Sequence, residues 1–204
     1  MRGGRRGRGG ANRRRVVDGK RVSAAGGDGH NEAMVDQDPF RVVFVCTGNI
    51  CRSPMAEVVF RDVAARAGLA HRVRSTSAGT GDWHVGERAD ARTLRALSQR
   101  GYDGSAHRAR QFTVEAFHDN DLVVALDRSH ERILRQWARH DGHLDRISLL
   151  RSFDPSAASP DVPDPYYAGE GMFAEVLGMI ENASRALFRQ LEPAIRPPRT
   201  GGLP

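Results

Sequence analysis

The chain has 204 residues, 31 Lys+Arg against 25 Asp+Glu, and a formal net charge of +6. That length suits one domain with tails, and no apolar stretch approaches the roughly 18 residues that a membrane span requires. Two cysteines, Cys46 and Cys51, are too few for a disulfide scaffold or a four-cysteine zinc site, and the start lacks the apolar core of a secretory signal, so composition leaves a soluble, intracellular globular protein.

Residues 1–33 carry the whole charge excess, with nine Lys+Arg, three Asp+Glu, nine of the 22 glycines and no aromatic residue. Such a segment cannot bury a core. Residues 1–38 are therefore expected to be a disordered Arg/Gly-rich extension, 39–193 a folded domain and 194–204 a disordered tail. Met34 stands just before the first patterned segment, and initiation there would remove the basic block. Arg/Gly repeats can bind nucleic acid by neutralising phosphates. A functionless extension is the preferred reading, and nucleic acid is not an expected partner.

Arg41–Cys46 is a short apolar, β-branched run and reads as a buried strand. Ser53 and Pro54 then open a helix as N-cap and first helical residue, and Gly68 closes it. Arg72–Ser77 reads as a second strand, ending in a turn over Ala78–Gly81. A helix is expected over Glu87–Arg100, a strand over Asp121–Leu126, a helix over Ser129–His140 and a fourth strand over Arg146–Leu150. Arg151–Gly171 must be a long loop, and loops of that length inside a domain are usually functional. The last helix spans Met172–Leu191, with Pro193, Pro197 and Pro198 ending order. Strands alternating with helices predict an α/β fold, a parallel four-stranded sheet with helices on both faces. Ligands of such sheets sit beyond the carboxyl ends of strands.

The loop after the first strand, Cys46-Thr47-Gly48-Asn49-Ile50-Cys51-Arg52-Ser53, fits that position. A loop leading into a helix N-terminus turns backbone N–H groups inward as an anion cradle. Gly48 lets the backbone take angles that side chains resist, and Arg52 can grip two phosphate oxygens in fork geometry. The same positive field favours the thiolate of Cys46, which faces a bound phosphoryl group as a nucleophile. No Gly-Lys-Ser/Thr follows, so this is not a nucleotide P-loop. Two cysteines five apart without a nearby histidine do not make a zinc site. A plain buried strand cysteine would leave the arginine ahead of Ser-Pro unexplained.

Val45–Glu57 resembles the signature of low-molecular-weight protein tyrosine phosphatases. The likeness extends to Ser77-Ala-Gly-Thr80, Asp121–Asp127 and Asp164-Pro-Tyr-Tyr167, covers residues 40–191, and with Trp83-His84 is greatest to actinobacterial members. It implies the phosphotyrosine phosphatase I-like fold and a two-step hydrolysis. Cys46 would attack phosphorus, Arg52 and the loop amides would hold the phosphoryl oxygens, and Asp164 would be the general acid. Residues alone do not choose Asp164 over Asp154 or Asp161. The resemblance further implies that Ser53 hydrogen-bonds the Cys46 sulfur, that Asn49 braces the loop, and that Asp127 is structural. Thr47, Gly48, Ile50 and Cys51 would line the phosphate site, with Tyr166, Tyr167 and Trp83 walling the substrate ring. A Cys46–Cys51 disulfide under oxidation is implied too, level with a packing role for Cys51. His84 and His107 are read as surface or core histidines.

The implied substrate is a phosphotyrosine protein and the product inorganic phosphate, with no cofactor and no metal. A cytoplasmic location is the default, with export without a signal peptide open, as for some actinobacterial relatives. Arsenate reductases share the fold but need further cysteines. Phosphoarginine-specific relatives tend to carry threonine where Ile50 stands here.

Overall fold

A computed structural model describes residues 38–196. The expectations for residues 1–37 and 197–204 lie outside the described residues.

In chain order the elements are β1 (Phe40–Cys46), α1 (Arg52–Arg66), β2 (Val73–Gly79), α2 (Ala91–Gln99), α3 (Ala116–Asp119), β3 (Leu122–Ala125), α4 (Arg128–Trp137), α5 (Asp141–Leu144), β4 (Ile147–Leu149) and α6 (Glu170–Ile195). Short 3-10 turns precede β2 and follow β4. The four strands pair in parallel in the order β2-β1-β3-β4.

The run Val42–Val45 is buried on both sides, as a central parallel strand demands. Alternation then sorts its residues. Val42 and Phe44 face a core built with α1, α2 and α6, whereas Val43 and Val45 face one built with α3 and α4. Phe60 of α1 anchors the first core, its ring 5.5 Å from Phe44 and 6.0 Å from Phe188 in edge-to-face contact. Burying such a ring contributes about 1.5–3 kcal/mol. The second core gathers Phe112, Phe117, Leu134 and Ile147. The expected four-stranded α/β sandwich is the fold observed.

Several boundaries differ from expectation, most of them by one or two residues, and four of the differences are instructive. The helix expected from Glu87 starts at Ala91, because Asp90 accepts the Arg92 N–H (2.8 Å) and caps it there. The helix expected to reach His140 stops at Trp137, where Ala138 turns extended. Ala78 and Gly79, read as a turn, complete β2 against Val45 and Cys46. The last helix passes through Pro193 to Ile195. Proline forfeits one backbone bond, but Ile195 is buried and the Arg196 N–H donates to Glu192 O at 2.8 Å, which holds the final turn.

The topology fixes where a ligand can sit. From β1 the chain goes to β2 on one side and then returns to β3 on the other, so the loops after β1 and β3 diverge. Their crevice at the strand carboxyl ends is the binding position of open α/β sheets. No helix among the described residues is long and apolar enough to cross a membrane.

Candidate active site

The loop between β1 and α1 faces its carbonyls outward. Cys46 O accepts from Thr80 N (2.8 Å), Thr47 O from Gly81 N (2.9 Å) and Ile50 O from Asp90 N (2.9 Å). Asn49 O lies 2.8 Å from His107 Nε2. In a planar trans peptide the following N–H points opposite its carbonyl. The amides of Thr47, Gly48, Ile50 and Cys51 therefore turn toward the loop's interior, and the first turn of α1 adds its own unpaired N–H groups.

Asn49, not Gly48, carries the special backbone angle, with φ of 55°. The expectation for Gly48 is corrected on this point: its need is space, since a Cβ there would lie 2.9 Å from the His84 ring. Gly79 is tighter still, as a Cβ would come within 2.6 Å of Thr47 O. Asn49 is fully buried and held at both polar atoms of its side chain. Its Nδ2 donates to Ser53 Oγ and Ser77 Oγ, both at 2.8 Å, and its Oδ1 accepts from Arg110 N at 2.9 Å. Ser77 in turn donates to Glu57 Oε2 at 2.5 Å, and His107 Nδ1 lies 3.7 Å from the same oxygen. Burial pushes the Glu57 carboxyl up, but His107 and Ser77 outweigh it and hold it below its ordinary value.

Ser53 is not the helix cap expected of it. Cys51 occupies the cap position without a side-chain bond, and Ser53 lies inside the first turn. The Ser53 hydroxyl instead stands 3.0 Å from Cys46 Sγ, with Ala78 O 3.3 Å away as a second acceptor. Tertiary contact has redirected a side chain whose local preference is capping. Cys51 is also buried, and burial pushes its thiol up to about 12. Both cysteines are free.

Arg52 is 4% exposed and extends from the first turn of α1. Its Nη1 donates to Asp127 Oδ2 (2.7 Å) and Val162 O (3.1 Å), and its Nη2 to Asp164 Oδ2 (2.9 Å). Asp127 follows β3 and caps α4, Oδ1 accepting from Ser129 N (2.8 Å) and His130 N (3.0 Å). Burial works against its charge, yet His130 and Ser129 hold this carboxyl far below the usual carboxylate range. Asp164 is different: its side chain is 45% exposed, at the cavity mouth.

Cys46, Thr47, Gly48, Ile50, Cys51 and Arg52 line the floor of one cavity of about 340 Å³, with Trp83, His84, Asp164, Tyr166 and Tyr167 completing it. Trp83 is 70% and Tyr167 95% exposed, so these rings are not core packing. Asn49 and Ser53 lie behind the floor as braces and do not line it. Asp154 binds Ser156 and Asp161 binds Arg128, both away from the cavity. Three histidines escape sequence reasoning here: His84 against Gly48, His107 on Asn49 O, and His130 beside Thr47. A single histidine carries no spacing signal, and only the fold brings these to the loop. Among the described residues no group of three His, Cys, Asp or Glu could hold a metal ion.

The family model for low molecular weight phosphotyrosine protein phosphatase matches residues 41–196. A low molecular weight protein-tyrosine-phosphatase of Streptomyces coelicolor is 55% identical over 151 residues, 73% of this chain and 92% of that protein. The low molecular weight protein-tyrosine phosphatase A of Mycobacterium tuberculosis is 50% identical over 148 residues, 72% of this chain and 88% of that protein. Among solved structures, a protein tyrosine phosphatase from Entamoeba histolytica with Hepes in the active site superposes with a TM-score of 0.73 at 32% identity, covering 76% of this chain and 98% of that one.

Proposed function

Because the chain belongs to the low molecular weight phosphotyrosine protein phosphatase family, we propose that it hydrolyses phosphotyrosine in protein substrates with Cys46 as nucleophile, Arg52 as phosphoryl clamp and Asp164 as general acid and base. The observation that carries this reading is the meeting of three features in one cavity. Sulfur at a strand end faces inward-turned amides, a buried guanidinium stands beside it, and a half-exposed carboxylate waits at the mouth.

In the free enzyme Arg52 Nη2 is engaged by Asp164. A phosphoryl dianion entering the loop competes for the same donors and frees Asp164, while Asp127 and Val162 O keep Nη1 in place. The Cys46 thiolate attacks phosphorus. The S–P bond forms as the P–O bond to the phenol breaks, and Asp164, which takes a proton from solvent once released from Arg52, delivers that proton to the departing oxygen. A phenolate's conjugate acid has a pKa of about 10, so this transfer matters. Water then attacks the cysteinyl phosphate, Asp164 takes its proton, the S–P bond breaks, and inorganic phosphate leaves. The Ser53 hydroxyl stabilises the thiolate in both steps. Trp83, Tyr166 and Tyr167 give the aromatic substrate an apolar wall.

In this reading the enzyme works in the cytoplasm. The arsenate-reductase and phosphoarginine alternatives are not favoured, given 55% and 50% identity to protein-tyrosine phosphatases and only two cysteines. The test is turnover of a small aryl phosphate and of phosphotyrosine peptides with a chelator present. The wild type should be fully active. Cys46→Ser should lose turnover yet bind phosphate, and Asp164→Ala should slow the rate by about 10²–10⁴. Full activity in Cys46→Ser, or strict dependence on added divalent metal, would overturn the assignment.

A further inference from the structure

Beside the loop, Asp127, His130 and Thr47 form a chain of contacts that the hydrolysis described above does not use. His130 is 1% exposed. Its Nε2 lies 2.8 Å from Thr47 Oγ1, and its Nδ1 lies 3.0 Å from Asp127 Oδ1. Nδ1 is buried and has no aligned hydrogen-bond partner among the described residues. Thr47 follows the nucleophile and lines the cavity.

The proton arithmetic of this chain is restrictive. Asp127 is held ionised, and a carboxylate oxygen 3.0 Å away disfavours a lone pair on Nδ1, so the proximity favours a proton on Nδ1 in either charge state of the ring. The charge state is then expressed at Nε2. In a neutral ring Nε2 has a lone pair and takes the Thr47 hydroxyl proton, leaving only lone pairs toward the cavity. In an imidazolium Nε2 donates to Thr47 Oγ1, and the hydroxyl proton is free to point at a phosphoryl oxygen. The other charged groups in this neighbourhood are the Cys46 thiolate beside Thr47, Arg52 on the far oxygen of Asp127, and Asp164 on the other arm of Arg52. Arg128 pairs away with Asp161 at the surface.

We propose that His130 is a positioning residue that aims the Thr47 hydroxyl, making it a hydrogen-bond donor to the bound phosphoryl group when the ring is an imidazolium and withdrawing that donor when it is neutral. The proposal rests on the phosphatase reading of the Cys46 loop. It gives the enzyme a pH-dependent donor separate from Asp164, because histidine is the side chain type whose charge change lies nearest neutral pH.

The test compares kcat/KM for an aryl phosphate in wild type and Thr47→Val at pH values from about 5 to 8. Substrate ionisation is common to both and cancels in the ratio. A hydrogen bond to a charged group is lost, so the ratio should be about tenfold or more at the acid end and fall toward one at the alkaline end. In His130→Gln the side-chain amide can donate to Thr47 at every pH, so the corresponding ratio should be flat. A flat wild-type to Thr47→Val ratio, or an unchanged step in the His130→Gln background, overturns the proposal. Thr47 is exposed, so its variant tests the idea even where His130→Gln fails to fold. Inorganic phosphate binding, measured in Cys46→Ser with and without Thr47→Val, should show the same pH-dependent ratio. That readout needs no turnover, so a flat result there sinks the role of His130 and not the choice of nucleophile.

Discussion

Asn49 does at the scale of one residue what the whole loop requires. Its φ of 55° is the left-handed conformation that costs most residues about 1–2 kcal/mol, and its amide bonds to Ser53, Ser77 and Arg110 hold it there. Asn49→Ala should therefore add strain and leave the Arg110 N–H unpaired, for a loss of about 2–5 kcal/mol. Asn49→Gly should lose the bonds without the strain and be milder. Chemical denaturation of both variants checks the order; equal loss would mean that the backbone angle carries no cost. This residue also shows what was legible in the sequence. That Cys46 and Arg52 share one loop between a strand and a helix could be read because it depends on chain-adjacent spacing, and both line the cavity. The division of labour between Gly48 and Asn49 could not, because it depends on the His84 ring and on Arg110, far along the chain.

At the scale of elements, α2 joins the Cys46–Arg52 loop to the loop bearing Asp164. Asp90, its cap, gives its N–H to Ile50 O. Arg92 in the first turn pairs with Asp90 (2.8 Å), donates to Tyr166 O (3.0 Å) and Ala168 O (3.3 Å), and stacks over the Phe173 ring at 4.5 Å. Without that clamp the Asp164 loop loses its tie to the helix. With Asp164 as the proposed general acid, Arg92→Ala should lower kcat about tenfold, since misplacing that group by a fraction of an ångström costs rate, with phosphorylation of the proposed nucleophile Cys46 detectable by rapid quench. Arg92→Lys should not restore it, because a lysine cannot bond a carboxylate and two carbonyls in one plane. An unchanged kcat in both would show that the loop's other ties, from Arg52 to Asp164 and from Val162 N to Leu126 O, suffice to place it. The hydrophobic pattern announced this helix but placed its start at Glu87. An Asp at position 90 is a cap only because the turn before it is pinned by Ile50 and Ala109.

Across the whole molecule, stability should fall in two stages on acidification. His143 is buried against Phe117, their rings 4.6 Å apart, with His140, His118, Arg146 and Arg139 nearby. Burial first, then those charges, holds its proton affinity below that of a free histidine. The unfolded chain thus binds the extra proton more readily below about pH 6.5, and stability drops there. Asp127 is depressed as well, so its contribution is present above about pH 4 and lost as pH falls further. Melting temperature against pH should show both stages, and His143→Phe should remove the first. A wild type with no change between pH 7 and about 5 would contradict this account of the histidine cluster.

The sequence by itself determined the strands and the placing of Cys46 and Arg52 in one strand-to-helix loop, because apolar period and adjacent spacing are local properties of a chain. Tertiary structure alone decided which carboxylate reaches Arg52, which side chains brace Asn49, and where the Ser53 hydroxyl goes. Those choices join residues up to 112 positions apart. Only the packing of β1, β3 and the long loop against one another brings such groups within hydrogen-bond reach.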